Sequence, residues 1–323
     1  MRHTLVAREK QCGAVAQGVA HPVATPPVRD NAGQTCCDGW VSETDDPVLL
    51  RSIAEQLAAE AAAFVRRRRA EVFGAAQADR PDVQTKSSPT DPVTVVDTET
   101  ERLLRDRLAV LRPGEHVLGE EEGGGEGIRG GELTWVLDPI DGTVNFVYGL
   151  PAYAVSVAVQ RDGVSVAGAV ADVPADTVYS AAVGDGAHLR TAGGVVPLRA
   201  SSAAELSQSL LGTGFSYDRA QRARQADVLT RVLPEVRDVR RIGSCALDLC
   251  MVAAGQLDAY YEDGVRVWDW AAGALIAAEA GAAVALPTGP GVTGAPGFIA
   301  AAAPGVAAAL RDLLGQATGS GAQ

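Results

Sequence analysis

Leu133-Thr-Trp-Val-Leu-Asp-Pro-Ile-Asp-Gly-Thr-Val-Asn-Phe146 is the stretch from which the rest of the chain is read. Trp135-Val136-Leu137 is an apolar run with the character of a buried strand. Pro139 has no N–H to give to a ladder, so the spacing predicts that the strand breaks there. Gly142 permits a turn or the close approach of a ligand. Asp138 and Asp141 therefore leave the strand end together, with the Ile140 carbonyl between them. That all-oxygen donor set suits Mg²⁺ better than Zn²⁺. The Gly142 and Thr143 amides are placed to open a helix and face a phosphate.

Downstream, Ala152 to Gln160 alternates, with Tyr153, Val155, Val157 and Val159 on one side. Val164 to Ala171 and Thr177 to Val183 follow, bounded by Arg161-Asp-Gly163 and Gly184-Asp-Gly186. Short strands joined by short turns predict an antiparallel meander. From about residue 205 strands and helices alternate. Strands are expected at Leu210 to Thr213, Val239 to Ile242, Leu257 to Tyr261 and Phe298 to Ala302. Helices are expected at Ala220 to Leu233, from Ser244 to Gly255, at Asp269 to Ala280, and from Pro304 to Leu314 with Gly315 at its end. That is βα alternation.

Upstream, Asp45-Asp46-Pro47 starts a helix whose apolar positions run from Leu49 to Val65 and which ends near Gly74. A polar stretch, Ala75 to Thr90, contains Lys86-Ser-Ser-Pro89. Asp91-Pro-Val-Thr-Val-Val-Asp97 is short and β-branched. Thr98-x-x-Glu101 reads as a capping box for a helix carrying Leu103, Leu104, Leu108 and Leu111. His116 to Gly119 is a short strand that delivers Glu120, Glu121 and Glu122. Residues 1–46 show no period and read as a disordered extension. The organisation expected is 47–200 with an antiparallel sheet, 201–315 with a mixed or parallel sheet, and a flexible tail over 316–323.

The chain of 323 residues is 47% hydrophobic and 21% charged, the balance of a globular protein. A net charge of −12 argues against a nucleic-acid footprint. The basic run Arg66 to Arg69 reads as a solvated helix face. The five cysteines form no paired CxxC arrangement and read as reduced thiols of a cytoplasmic protein. No apolar run is long enough to span a membrane, and no secretory signal is evident. His116 and His188 read as structural or exposed, and Cys245 and Cys250 as core.

Carboxylates recur where strands or loops meet helices: Asp91 and Asp97, Glu120 and Glu121, Asp138 and Asp141, and Asp269. Helix capping alone accounts for Asp269. Its company makes it a site candidate.

Asp138-Pro-Ile-Asp-Gly-Thr-Val-Asn-Phe146 and Val267-Trp-Asp-Trp-Ala-Ala-Gly273 resemble the two signature motifs of the inositol monophosphatase family. Lys86-Ser-Ser-Pro89, the 91–97 segment, Gly119-Glu-Glu121 and Arg240-Arg-Ile-Gly-Ser244 extend the resemblance over about residues 47 to 315, nearest to the actinobacterial SuhB-type branch. It implies a layered αβαβα sandwich and a lithium-sensitive, Mg²⁺-dependent phosphatase, a homodimer, acting on myo-inositol 1-phosphate. Histidinol phosphate, fructose 1,6-bisphosphate and a 3′-phosphoadenosine nucleotide are alternative substrates, and a non-catalytic interaction protein on the same scaffold is the alternative function. Two or three Mg²⁺ would be held by Glu120, Asp138, the Ile140 carbonyl, Asp141 and Asp269. Thr143, supported by Asp97, would orient the attacking water, with Glu120 also catalytic. Gly142 and Thr143 would cradle the phosphate. Glu262 and Asp141, with the backbone near Ser244 and Cys245, would bind hydroxyls of the alcohol, and Lys86 would lie on a mobile loop that closes over the metals. Phe215 and Cys245 depart from the family pattern and blur substrate choice.

Overall fold

The computed structural model describes residues 43–74, 83–85, 92–124, 130–287 and 297–318. Lys86, Asp91, Cys12, Cys36 and Cys37 lie outside the described residues, as does most of the segment read as disordered.

In chain order the elements are α1 (Pro47–Phe73), β1 (Val83–Thr85), β2 (Pro92–Thr94), α2 (Val95–Leu111), β3 (His116–Gly119), β4 (Leu133–Asp141) and α3 (Thr143–Tyr148). Then come β5 (Ala154–Arg161), β6 (Val164–Asp172), β7 (Thr177–Ala182), β8 (Gly186–Thr191), β9 (Gly194–Pro197) and β10 (Leu210–Thr213). The remainder is α4 (Arg219–Val232), β11 (Asp238–Arg240), α5 (Cys245–Ala253), β12 (Ala259–Val265), α6 (Val267–Glu279), β13 (Ala283–Ala285), β14 (Gly297–Ala302) and α7 (Ala307–Thr318).

Five layers result. A seven-stranded sheet runs in the order β3-β4-β5-β6-β7-β8-β9, and a five-stranded sheet in the order β11-β10-β12-β14-β13. Strand alternation sends Val155, Val157 and Val159 into a core shared with α1 and α2, while Ala154 and Ala158 face α5 and α6. On β12, Tyr260 faces α5 and α6, and Tyr261 faces the outer core built with α4 and α7. Helices α5 and α6 lie between the sheets, which is why their sequences are apolar on nearly every side. The αβαβα sandwich is therefore present. No helix among the described residues is long and apolar enough to cross a membrane.

Several local expectations need correction. The strand at the centre does not end at Pro139. β4 runs on to Asp141 through a bulge, pairing Asp138 with Ser156 and then Asp141 with Ala154. The bulge absorbs the missing donor and turns both acids toward one side. Helix α2 begins a turn earlier than expected. Its N-cap is Thr94, and Asp97 closes the capping box, so Thr98-x-x-Glu101 is not the cap. The larger sheet is not wholly antiparallel, because β3 pairs with β4 in parallel. β1, β8, β9 and β13 were not expected. Helix α7 starts at Ala307, after Pro304 rather than at it, and continues through Gly315 to Thr318. Residues Glu43–Asp45 form a 3-10 turn, and Asp45 pairs with Arg112 and Arg161.

The basic run is not simply solvated. Arg66 donates to the Val173 carbonyl at 3.0 Å, Arg68 to Glu99 at 2.7 Å, and Arg69 to the Phe146 carbonyl at 3.0 Å. Arg69 also lies over the Phe73 and Phe146 rings. The run ties α1 to the short helix that follows the two acids. His116 bonds Glu132 and His188 meets Arg51, both away from the acids.

Candidate active site

Four elements send carboxylates into one cavity. The β4–α3 corner supplies Asp138 and Asp141, the end of β3 supplies Glu120, the first turn of α6 supplies Asp269, and β12 supplies Glu262. The cavity has a volume of about 140 Å³. Ile140, Gly142, Thr143, Cys245 and Phe215 also line it. Asp138, Asp141 and Asp269 each place a carboxylate oxygen within 4.8 Å of the other two. Glu120 shares the cavity without joining that trio. Of the three adjacent glutamates, only Glu120 reaches it.

Each acid is held by its own backbone context. Asp138 Oδ1 accepts from the Ile140 amide at 3.0 Å. Asp141 Oδ2 accepts from the Ser244 hydroxyl at 2.6 Å and from the Ala246 amide at 2.7 Å. Asp269 accepts from the Arg266 amide at 2.6 Å, as the third residue of its helix. Gly142 turns the chain from β4 into α3 with φ 94°, a left-handed conformation that L side chains avoid. A Cβ there would also come within 3.0 Å of the Ala152 and Gly243 carbonyls. Thr143 Oγ1 lies 3.2 Å from Asp97 Oδ1 and 3.0 Å from the Ile140 carbonyl, with one proton to give. Asp97 is itself fixed by the Thr94 amide at 2.9 Å and the Thr94 hydroxyl at 2.5 Å.

The electrostatics point to a cation. Burial pushes the Asp141 carboxyl up to about 7, opposed by its bonds from Ser244 and Ala246 and reinforced by the charges of Glu262 and Glu120. Burial, then Asp141 and Glu120, raise Asp269 well above the ordinary carboxylate range. So many acids in one cavity cannot all ionise without positive charge among them. The donors are all oxygens, the set a hard divalent ion takes. The residues fit the metal implied by their motifs.

Ser244 lies behind the cavity rather than in its wall. Its hydroxyl is spent on Asp141, and its oxygen caps α5 by accepting from the Leu247 amide at 3.2 Å. Burial pushes the Cys245 thiol well up. Cys250 is buried in the core.

The roles of three residues behind the cavity were not legible in the sequence. Glu101, fully buried, accepts from the Glu121 amide at 2.7 Å, the Glu122 amide at 3.1 Å and Arg105 at 2.8 Å. It thereby fixes the backbone that presents Glu120. A Cβ at Gly119 would fall 2.2 Å from that carboxylate. Only its burial was signalled, because Asp97 and Glu101 stand in helical register with the buried Leu104 and Leu108. Asn145 donates to the Ala152 carbonyl at 2.7 Å and the Ile242 carbonyl at 2.9 Å, joining α3 to the segment before Ser244. Asp248 is buried with both oxygens lacking hydrogen-bond partners among the described residues.

A sequence profile of the inositol monophosphatase family matches residues 46–317. The chain belongs to that family. SuhB of Mycobacterium tuberculosis strain H37Rv, an inositol-1-monophosphatase, is 67% identical over 242 residues, covering 73% of this chain and 83% of that protein. The inositol-1-monophosphatase of Mycobacterium leprae is 68% identical over 242 residues, with the same coverage of both chains. Among solved structures, Mycobacterium tuberculosis SuhB superposes with a TM-score of 0.73 at 60% identity, covering 85% of this chain and 99% of that one. This member of the inositol monophosphatase family is an enzyme, a phosphatase.

Proposed function

We propose that the protein hydrolyses myo-inositol 1-phosphate to myo-inositol and phosphate in a Mg²⁺-dependent reaction. The observation that carries the reading is the convergence of Asp138, Asp141 and Asp269 within 4.8 Å. These acids, Glu120 and the Ile140 carbonyl would hold two or three Mg²⁺, which would supply positive charge for a phosphomonoester and lower the pKa of water.

The chain's own residues do the positioning. With its proton given to Asp97, the Thr143 hydroxyl offers a lone pair to a water O–H in the cavity and so orients that water. The Gly142 and Thr143 N–H groups open α3 and remain for phosphate oxygens. Ser244 and the Ala246 amide favour the ionised form of Asp141 against burial and aim it into the cavity. Glu262 accepts from hydroxyls of the leaving alcohol, which favours a polyol over an aryl or nucleoside ester. In-line attack by water fits a site without an activated serine or cysteine: the Cys245 thiol is held protonated. The mycobacterial relatives named for this activity support the same substrate.

The test is phosphate release from a panel of phosphomonoesters with and without Mg²⁺. The reading expects myo-inositol 1-phosphate to lead and the metal to be required. Histidinol phosphate or fructose 1,6-bisphosphate hydrolysed far faster would overturn the substrate assignment.

A further inference from the structure

We infer that Tyr260 is a positioning residue for substrate choice, fixing Glu262 so that one carboxylate oxygen is committed to the protein and the other is reserved for a hydroxyl of the leaving alcohol. The inference rests on the proposed role of Glu262 and deepens it.

The geometry starts from strand period. Tyr260 and Glu262 are two apart on β12 and so share one face, while Tyr261 between them points to the outer core. Tyr260 is wholly buried, and its hydroxyl donates to Glu262 Oε2 at 2.6 Å. That is a short, charge-assisted bond. The single phenolic proton is thus committed to Glu262.

The other side of the carboxylate is closed by backbone. A Cβ on Gly214 would fall 2.0 to 2.3 Å from the Glu262 carboxylate atoms, so the group packs directly on a bare glycine. Between Gly214 and Tyr260 the carboxylate has little room to rotate. Oε1 accepts no hydrogen bond among the described residues, and Glu262 lines the cavity that holds the acidic trio. Burial raises the Glu262 carboxyl above its ordinary range, and the Tyr260 bond and the positive charge of Arg241, in the same cavity wall, oppose that shift. One preoriented acceptor at a fixed place rewards a substrate with a hydroxyl there and offers nothing to one without it. Rejection of an ester lacking the hydroxyl follows, because the acceptor is then covered by the ester and left unmet.

The experiment compares Tyr260→Phe with wild type on two substrates with Mg²⁺: myo-inositol 1-phosphate and p-nitrophenyl phosphate, whose leaving group carries no second hydroxyl. The variant removes one oxygen from a buried ring. The expected result is a KM for myo-inositol 1-phosphate raised about tenfold, the worth of one hydrogen bond to a charged group, with kcat held within about twofold. Neither constant for p-nitrophenyl phosphate should move by more than about twofold. In a Glu262→Gln background the Tyr260→Phe change should add little, since the two residues act as a unit. An unchanged KM for the inositol ester, or equal losses on both substrates, would overturn the inference while leaving the phosphatase reading intact. A wild-type protein that hydrolyses neither ester with Mg²⁺ would sink the proposed function and this inference with it.

Discussion

Ser244 and Asp141 are 103 positions apart in the chain, yet the serine hydroxyl donates to the aspartate Oδ2 at 2.6 Å. One bond joins the strand-end corner of the larger sheet to the N-terminus of α5, which lies between the two sheets. It also supports ionised Asp141 against burial. Ser244→Ala removes that donor and leaves the Ala246 amide. We expect the Mg²⁺ concentration for half-maximal phosphate release to rise about tenfold, in keeping with one hydrogen bond to a charged group. A metal titration of activity measures it.

Asp97 touches Thr143 and Thr94 without lining the cavity. Its proposed task is to take the Thr143 proton and so present the threonine lone pair to water. Asp97→Asn keeps the shape but offers an amide that can donate back to Thr143. The expected fall in kcat is about 10²-fold or more, with little change in KM. Steady-state kinetics on myo-inositol 1-phosphate give the answer.

Glu101 anchors two amides and Arg105 from a fully buried position. Glu101→Ala strands those donors and an arginine, at a cost of about 3 kcal/mol, and frees the backbone that presents Glu120. Thermal unfolding of the metal-free protein should show the lower Tm. A calorimetric Mn²⁺ titration should show weaker binding even where the variant remains folded.

Asp248, which lines no part of the cavity, supplies a pH signature of its own. Burial first, then the charges of Glu262 and Asp141, push its carboxyl well above the ordinary range, with Arg241 opposing. In the unfolded chain it titrates near the usual value, about 4. Between that pH and its raised native value the folded state binds the extra proton, so this group makes stability fall as pH rises. Asp248→Asn removes the effect. The variant should match wild type near pH 4.5 and unfold about 2 °C or more higher at pH 8, as seen by differential scanning calorimetry.

Much of this was readable in the chain. Periodicity located α1, α2, α4 and α6 and the core strands, because helix and strand burial write directly into residue order. The acids at 138, 141 and 269 stood out because strand ends and helix starts are where carboxylates have local reasons to sit. The bulge at Pro139 was not readable, since a proline marks a missing donor without saying whether the partner strand accommodates it. The α2 cap was misplaced because two Ser/Thr-x-x-acid patterns overlap, at Thr94 and at Thr98, and burial chose between them. β8, β9 and β13 are short or exposed, so they lack the apolar alternation that would reveal them. The partners of Glu101, Asn145 and Ser244 are backbone or side-chain atoms distant in sequence, and no local pattern records them.

The central claim is that the acidic trio with Glu120 is a divalent-metal site. Crystals grown with Mn²⁺ and measured for anomalous scattering test it most directly. The account predicts two or three peaks, each about 2.0 to 2.2 Å from carboxylate oxygens of Asp138, Asp141, Asp269 or Glu120. A well-ordered cavity showing no anomalous peak at saturating Mn²⁺ would contradict it.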